Sequence, residues 1–210
     1  MDLGPAARSA WGTRLRWVAV LLAVQCLYFP INRMMKGGVV LDIPWDAYFP
    51  LQPVWIVPYL LSLAWWTGCY IWAAWKMPEQ VYQALFVSVI TVALISYAVY
   101  IFYPTYVVRP PVEGDGWAAR LVAQLYAHDQ VNNAFPSGHT YNTVLVTLYW
   151  SRIYPKRRLL WVTIAIVILL STLYTGQHNL LDLLGGLVLA WLGYRFGLWW
   201  ADQRQPGAVA

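Results

Sequence analysis

The sequence predicts an all-α protein, a polytopic membrane helical bundle with about six transmembrane helices, and three observations carry that expectation. Hydrophobic residues make up 60% of the 210 residues and charged residues 11%, too little polar surface to clothe a soluble globule. Apolar segments recur at lengths near the roughly 20 residues that cross a hydrocarbon core of about 30 Å. The stretches between them are marked by Pro, Gly and charged residues, as loops at a membrane face are.

The first span is expected over about Arg16–Phe29, either stopping at Pro30 or running past it. No small-residue cleavage site follows Val24-Gln25-Cys26, so this run is read as a span rather than a secretory signal. Residues 32–50, with Arg33, Lys36, Gly37-Gly38, Asp42, Pro44 and Asp46, read as an extramembrane loop with interfacial contacts. The second span runs from about Leu51 to Trp75, with Pro53 and Pro58 near its start, where a missing backbone donor costs least. Lys76-Met77-Pro78-Glu79 closes it, and the third span follows over about Val81–Phe102.

A long hydrophilic section, residues 103–136, comes next and is where chemistry is expected; within it Trp117–His128 is patterned as a short amphipathic helix at the interface. The fourth span begins near Ser137 and ends before Tyr154, the fifth covers about Leu159–Thr175, and the sixth about Leu180–Trp200. Cys26 and Cys69 fall within spans, lack metal-like spacing, and read as packing residues.

Six spans put both termini on one side. Ten of the 14 Lys and Arg residues fall on that side (Arg8, Arg14, Arg16, Lys76, Arg152, Lys156, Arg157, Arg158, Arg195 and Arg204), and Arg33, Lys36, Arg109 and Arg120 fall opposite. By the positive-inside rule the termini are expected in the cytoplasm, the protein in the plasma membrane, and all three histidines at the extracytoplasmic face. These loop charges account for the net charge of +5, and no solvated basic stripe remains for a nucleic-acid partner. Trp65-Trp66, Trp75, Trp150, Trp161 and Trp199-Trp200 lie near span ends and read as interfacial anchors. Gly186, Ala190, Gly193 and Gly197 line one face of the last span, expected to pack within the bundle in preference to dimerising.

Against this apolar background the ionisable residues need a reason. His178 and Asp182 are four apart at a helix start, so the carboxylate can fix the imidazole tautomer and leave the other ring nitrogen to attack; alone, the pair also fits a helix cap. Pro136-Ser137-Gly138-His139 enters another helix, whose first N–H groups can bind an anion, although a proline-initiated helix start explains the same four residues. Gly138 leaves room for a phosphate and Ser137 adds a hydroxyl. Arg109-Pro110-Pro111 supplies a guanidinium in a stiff loop on the same side, a position that equally suits a solvated arginine.

In this order and at these span ends, the residues resemble the type 2 phosphatidic acid phosphatase superfamily. Its second motif is complete as Pro136-Ser137-Gly138-His139; its third appears from Ser171 through His178 to Asp182, and its first only as Arg109-Pro110. Phe102 stands where the family has Lys, and Thr172 where it has Arg. The resemblance implies a single membrane-embedded catalytic domain over residues 1–210 with its core motifs in 102–186. It also implies catalysis by His178, His139 and Asp182, with Arg109, Ser137, Gly138 and Ser171 holding the substrate phosphate. His178 would attack phosphorus to give a phosphohistidine and His139 would protonate the leaving alkoxide, with no metal and no cofactor.

The partners implied are a lipid phosphate or phospholipid substrate, water or an alcohol acceptor, and the membrane lipids. Losing two cations disfavours a nearly dianionic monoester before a monoanionic diester, so head-group transfer of the phosphoinositol or phosphocholine type is the alternative to lipid phosphate hydrolysis. Arg120 or Lys36 moving in would restore the charge and ordinary phosphatase activity. Two other classes compete: a zinc site built from His128, His139 and His178, and a non-catalytic lipid-binding membrane protein.

Overall fold

The computed structural model describes residues 5–204, with side chains from Trp11 onward; Arg8 of the charge count therefore has its side chain outside the described residues. The order is α1 (Pro5–Cys26), α2 (Tyr28–Met34), α3 (Ile56–Lys76), α4 (Glu79–Phe102), α5 (Trp117–His128), α6 (Gly138–Ile153), α7 (Arg158–Tyr174) and α8 (Leu180–Arg204). Short 3-10 turns sit at Pro44–Tyr48, Pro53–Trp55 and Pro155–Arg157. No strand occurs among the described residues.

The first span runs past Pro30. Proline cannot donate to the carbonyl four residues earlier, Cys26, so the helix breaks at Leu27, whose N–H turns to Val24 instead, and restarts with Pro30 in the tolerant first turn of α2. Five segments are long and apolar enough to cross a membrane: 11–34, 53–76, 79–102, 155–174 and 180–204. The expected fourth span forms as a helix with the bounds expected, but it is shorter and more polar than these five. Helix α6 has 16 residues, about 24 Å at 1.5 Å per residue, which is short of the hydrocarbon core. Its first turns carry Thr140, Tyr141, Asn142 and Thr143, all buried, because α6 packs against α3, α4, α7 and α8 instead of facing lipid. Leu61, Ile71, Leu94, Leu159, Ile166, Val188 and Leu192 are exposed on the outer helices, an apolar exterior that suits lipid and would aggregate in water.

The first turns of α1 and the last turns of α8 lie at one end of the bundle, where they are fastened tightly. Arg14 pairs with Glu79 at 2.7 Å and donates to the carbonyls of Ala74 and Met77, while Tyr82 donates its hydroxyl to the Arg14 carbonyl. Trp17 meets Trp200 edge to face, so α1, the α3–α4 turn and α8 are joined there. Two expected anchors belong to the core instead: Trp66 and Trp150 are buried, the Trp66 indole donating to Thr143 across α3 and α6. Trp75 and Trp199 are exposed, as anchors are.

The small face of α8 is used inside the bundle. A Cβ at Gly193 would run into Val92, and one at Gly197 into Ser88 and the Ala84 carbonyl. That closeness lets Ser88 on α4 donate to the Gly193 carbonyl at 2.8 Å and lie 2.9 Å from the Tyr149 hydroxyl of α6. Gly197→Ala, which in an exposed helix would stabilise, is therefore expected to destabilise by about 1–3 kcal/mol through overpacking. Thermal unfolding in detergent checks it, and an unchanged or raised Tm would contradict the packing.

Candidate active site

At the other end, two helix starts lie side by side. The Ser137 N–H donates to the Asp182 carbonyl at 3.0 Å, and a Cβ on Gly186 would collide with Thr140 and the Ser137 carbonyl, so α6 and α8 begin in contact. Tyr100 holds the Pro136 carbonyl at 2.7 Å, and Phe135 donates its N–H to Thr105. Together these fix the Phe135–His139 segment against α4 and α8.

Ser137 caps α6: it is fully buried and its hydroxyl oxygen accepts from the Thr140 N–H. Its own N–H is taken by Asp182, so of the three N–H groups expected to face an anion, those of Gly138 and His139 remain without an intrahelical partner. A Cβ at Gly138 would meet only the Tyr141 and Tyr100 rings, at 3.7 Å and beyond, so no protein neighbour requires glycine there. The open space is on the cavity side.

His139 is held by aromatics from α3. Tyr59 stacks on it with ring centroids 4.6 Å apart, Trp66 lies at 5.2 Å, and the His178 ring is 5.6 Å away. His178 comes off a tight turn after α7, in which Gln177 and His178 both donate N–H groups to the Thr172 carbonyl. Gly176 has φ +61°, and a Cβ there would lie 2.7 Å from the Tyr126 hydroxyl and 2.8 Å from Pro110, so the turn needs glycine twice over.

His178 Nδ1 lies 3.5 Å from Asp182 Oδ2; the side chains are 8% and 1% exposed. At that separation and alignment the contact is an ion-pair distance without a hydrogen bond, and Nδ1 and Asp182 Oδ1 have no hydrogen-bond partner among the described residues. Asp182 Oδ2 accepts from the Asn179 N–H at 2.8 Å, the return half of a capping box. Asp46, from the loop before α3, accepts from the Leu180 N–H at 2.7 Å and from Ile43 at 2.8 Å. Two carboxylates therefore occupy the start of α8, which leaves α6 as the helix start open to an anion.

The remaining expected ligands are placed less directly. Arg109 donates to the carbonyls of Asp129 at 2.9 Å and Gln130 at 3.0 Å, to the Gln177 side chain at 2.9 Å, and more weakly to Tyr126. It buckles the end of α5 to the residue beside His178, and it lines neither cavity described below. Burial pushes the Asp129 carboxyl above the ordinary carboxylate range, against the pull of Arg109 and His178. Ser171 is not brought to the site: it is fully buried in α7 and its hydroxyl donates to Ile168, because a serine near a helix end bonds its own backbone when no other acceptor is near.

Of the two positions where the family carries a cation, Phe102 is 85% exposed and Thr172 is fully buried, its hydroxyl on Leu169. Arg120 and Lys36 are exposed and line neither cavity. His128 is exposed on α5 with Nδ1 2.8 Å from Gln124 of its own helix. Among the described residues no group of three His, Cys, Asp or Glu side chains is arranged to hold a metal ion.

Two cavities meet at His178. A groove of about 1030 Å³ runs from Trp11 and Trp75 at the terminal end to His139 and His178, walled by α1 and α2 on one side and α3 on the other. Leu22, Leu63 and Ile71 line it and are exposed, so it is open sideways towards lipid. A smaller pocket of about 250 Å³ lies on the loop side, between residues 40–49, residues 107–110 and the α7–α8 turn.

Asp46, Tyr59 and Trp66 escape the sequence reading. Tyr59 and Trp66 are seven apart on one helix face, a signal hidden by the many aromatics of the spans, and a lone loop aspartate carries no spacing signal. Asp46→Ala removes two carboxylate bonds to backbone and is expected to cost about 1–3 kcal/mol and to lower turnover. Asp46→Asn, which keeps one acceptor oxygen, should recover part of both in thermal unfolding and activity assays.

A family profile described as the PAP2 superfamily matches residues 52–196, more than half of the chain. Neither the curated proteins nor the solved structures yield a significant match.

Proposed function

The chain belongs to the PAP2 superfamily, and from that premise we propose that it is an integral membrane phosphatase acting on a lipid phosphate through a phosphohistidine at His178. Membership supports phosphatase-type chemistry in general. The observation that carries the finer reading is the pair of imidazoles 5.6 Å apart, with Asp182 behind one of them, at the inner end of a groove long enough for an acyl chain.

With Nδ1 turned to Asp182, Nε2 of His178 is the nucleophile. The N–P bond forms in line as the P–O bond to the lipid alcohol breaks, and His139 gives its proton to the departing oxygen. The N–H groups of Gly138 and His139 and the Ser137 hydroxyl stabilise the equatorial oxygens, with Arg109 contributing charge from behind Gln177. Water or an alcohol then attacks the phosphohistidine with His139 as base. Every role is filled by protein groups, so the scheme calls for no metal. The charge asymmetry of the loops supports termini in the cytoplasm and this chemistry at the extracytoplasmic face, the plasma membrane being the proposed location.

A second reading, transfer of a head group from a phosphodiester, is favoured by one observation. Phe102 and Thr172 supply no cation, Arg120 and Lys36 stand away, and the Arg109 forks are already bonded to protein. A site with so little positive charge suits a monoanionic diester better than a near-dianionic monoester.

His178→Ala and His139→Ala are each expected to lower turnover of a lipid phosphate panel by about 10⁴-fold or more while the protein still inserts in membranes. Undiminished turnover in either would remove the mechanism, and no turnover by the unaltered protein would leave the lipid-binding reading. Gly138→Ala separates site from scaffold: Tm should hold or rise, since alanine favours the helix, while turnover falls by about tenfold or more because the methyl group enters the phosphate's space.

A further inference from the structure

We propose that the 250 Å³ pocket beside His178 holds the retained head group of a phosphodiester and selects one that donates hydrogen bonds and carries no negative charge. The inference rests on His178 being the nucleophile and on the diester reading, and it concerns the part of the substrate that stays on the enzyme.

In-line displacement decides which cavity takes which arm. The entering nitrogen and the leaving oxygen are apical, so the lipid alcohol departs from the side opposite His178, towards His139. His139 lines the groove and not the smaller pocket, whereas His178 lines both. The leaving lipid alcohol, and any acceptor that later takes its place, therefore belong to the groove. The retained ester oxygen is equatorial, and its substituent must point sideways from the reaction axis. The pocket on the loop side of His178 is where that substituent fits.

Its size and lining suit a head group. At about 30 Å³ per water, 250 Å³ is room for roughly eight waters, enough for one small head group and too little for a second lipid. Asp42 and Asp46 contribute carboxylates, Asn179 an amide, and no Lys or Arg lines it. Asp46 already accepts from two backbone N–H groups, but Asp42 is exposed and open to a ligand. Carboxylates without a neighbouring cation accept from hydroxyl or ammonium groups and repel a phosphate or carboxylate. The pocket adjoins the reaction directly: His178, the proposed nucleophile, forms part of its wall and is only 8% exposed, so a group held there lies against the reacting residue.

The step balances without further reagents. As His178 bonds to phosphorus, the P–O bond to diacylglycerol breaks and that oxygen takes a proton from His139. The head-group phosphate stays on His178 until a second alcohol, or water, receives it and returns a proton to His139. A monoester has no arm to place in the pocket, so pocket changes must act on diesters in preference to monoesters.

The test uses the intact protein in detergent micelles with phosphatidylinositol, phosphatidylethanolamine, phosphatidylinositol 4-phosphate and phosphatidic acid of identical acyl chains, reading diacylglycerol release as kcat/KM. Phosphatidylinositol or phosphatidylethanolamine should exceed phosphatidylinositol 4-phosphate by about tenfold or more, and the faster of the two tells a polyol from an ammonium donor. Ala47→Trp, which fills the pocket from its exposed rim, should lower the diester-to-monoester ratio by about tenfold, and Asp42→Lys should narrow the discrimination against the anionic head group. Turnover of phosphatidic acid without any diester, or a ratio unmoved by Ala47→Trp, overturns the pocket's role while leaving His178 in place. Absence of His178-dependent turnover on all four lipids would instead remove the nucleophile, and the pocket's role with it.

Discussion

One backbone hydrogen bond, from the Ser137 N–H to the Asp182 carbonyl, joins the starts of the two helices on which the candidate site depends. Helix starts are where unpaired N–H groups collect, and placing two together in an apolar setting would strand donors unless each were answered. Here α8 is answered by the carboxylates of Asp46 and Asp182, and α6 by the Ser137 hydroxyl. The difference leaves one electropositive helix start next to one carboxylate-braced histidine. His139 and His178 face each other because of it.

The packing below that contact is arranged to keep it. Gly186, Gly193 and Gly197 let α8 approach α6 and α4 more closely than any side chain would allow, and Ser88 and Tyr149 satisfy the polar groups exposed by that approach. At the far end Arg14 ties α1 to the α3–α4 turn. The groove between α1–α2 and α3 is open sideways past Leu22, Leu63 and Ile71, so on the proposed function a lipid could reach His139 without the bundle opening.

His178 lines two cavities, one apolar and one bounded by Asp42 and Asp46 on the loop side, an arrangement that on the proposed function would let one residue serve a lipid alcohol and a water-soluble group together. Among the described residues no Lys or Arg lines either cavity, and that electrostatic fact is what favours a monoanionic diester in the second reading proposed above.

Much was legible in the chain because membranes impose simple rules. Length and hydropathy delimited the later spans to within about five residues but cut the first short at both ends, the amphipathic pattern marked Trp117–His128, and the Pro136–His139 and His178–Asp182 spacings put the imidazoles at helix starts. These follow from local periodicity, which a sequence contains in full. What the sequence did not contain was partnership. That Ser171 bonds its own helix, that Arg109 is a buckle, that α6 is short and sheathed by neighbours, and that Asp46 caps a helix starting 134 residues later are outcomes of which segments pack together. The tertiary structure alone decided them, because hydrogen-bond donors and acceptors in an apolar environment choose whichever partner the packing brings within reach, and sequence distance does not enter that choice.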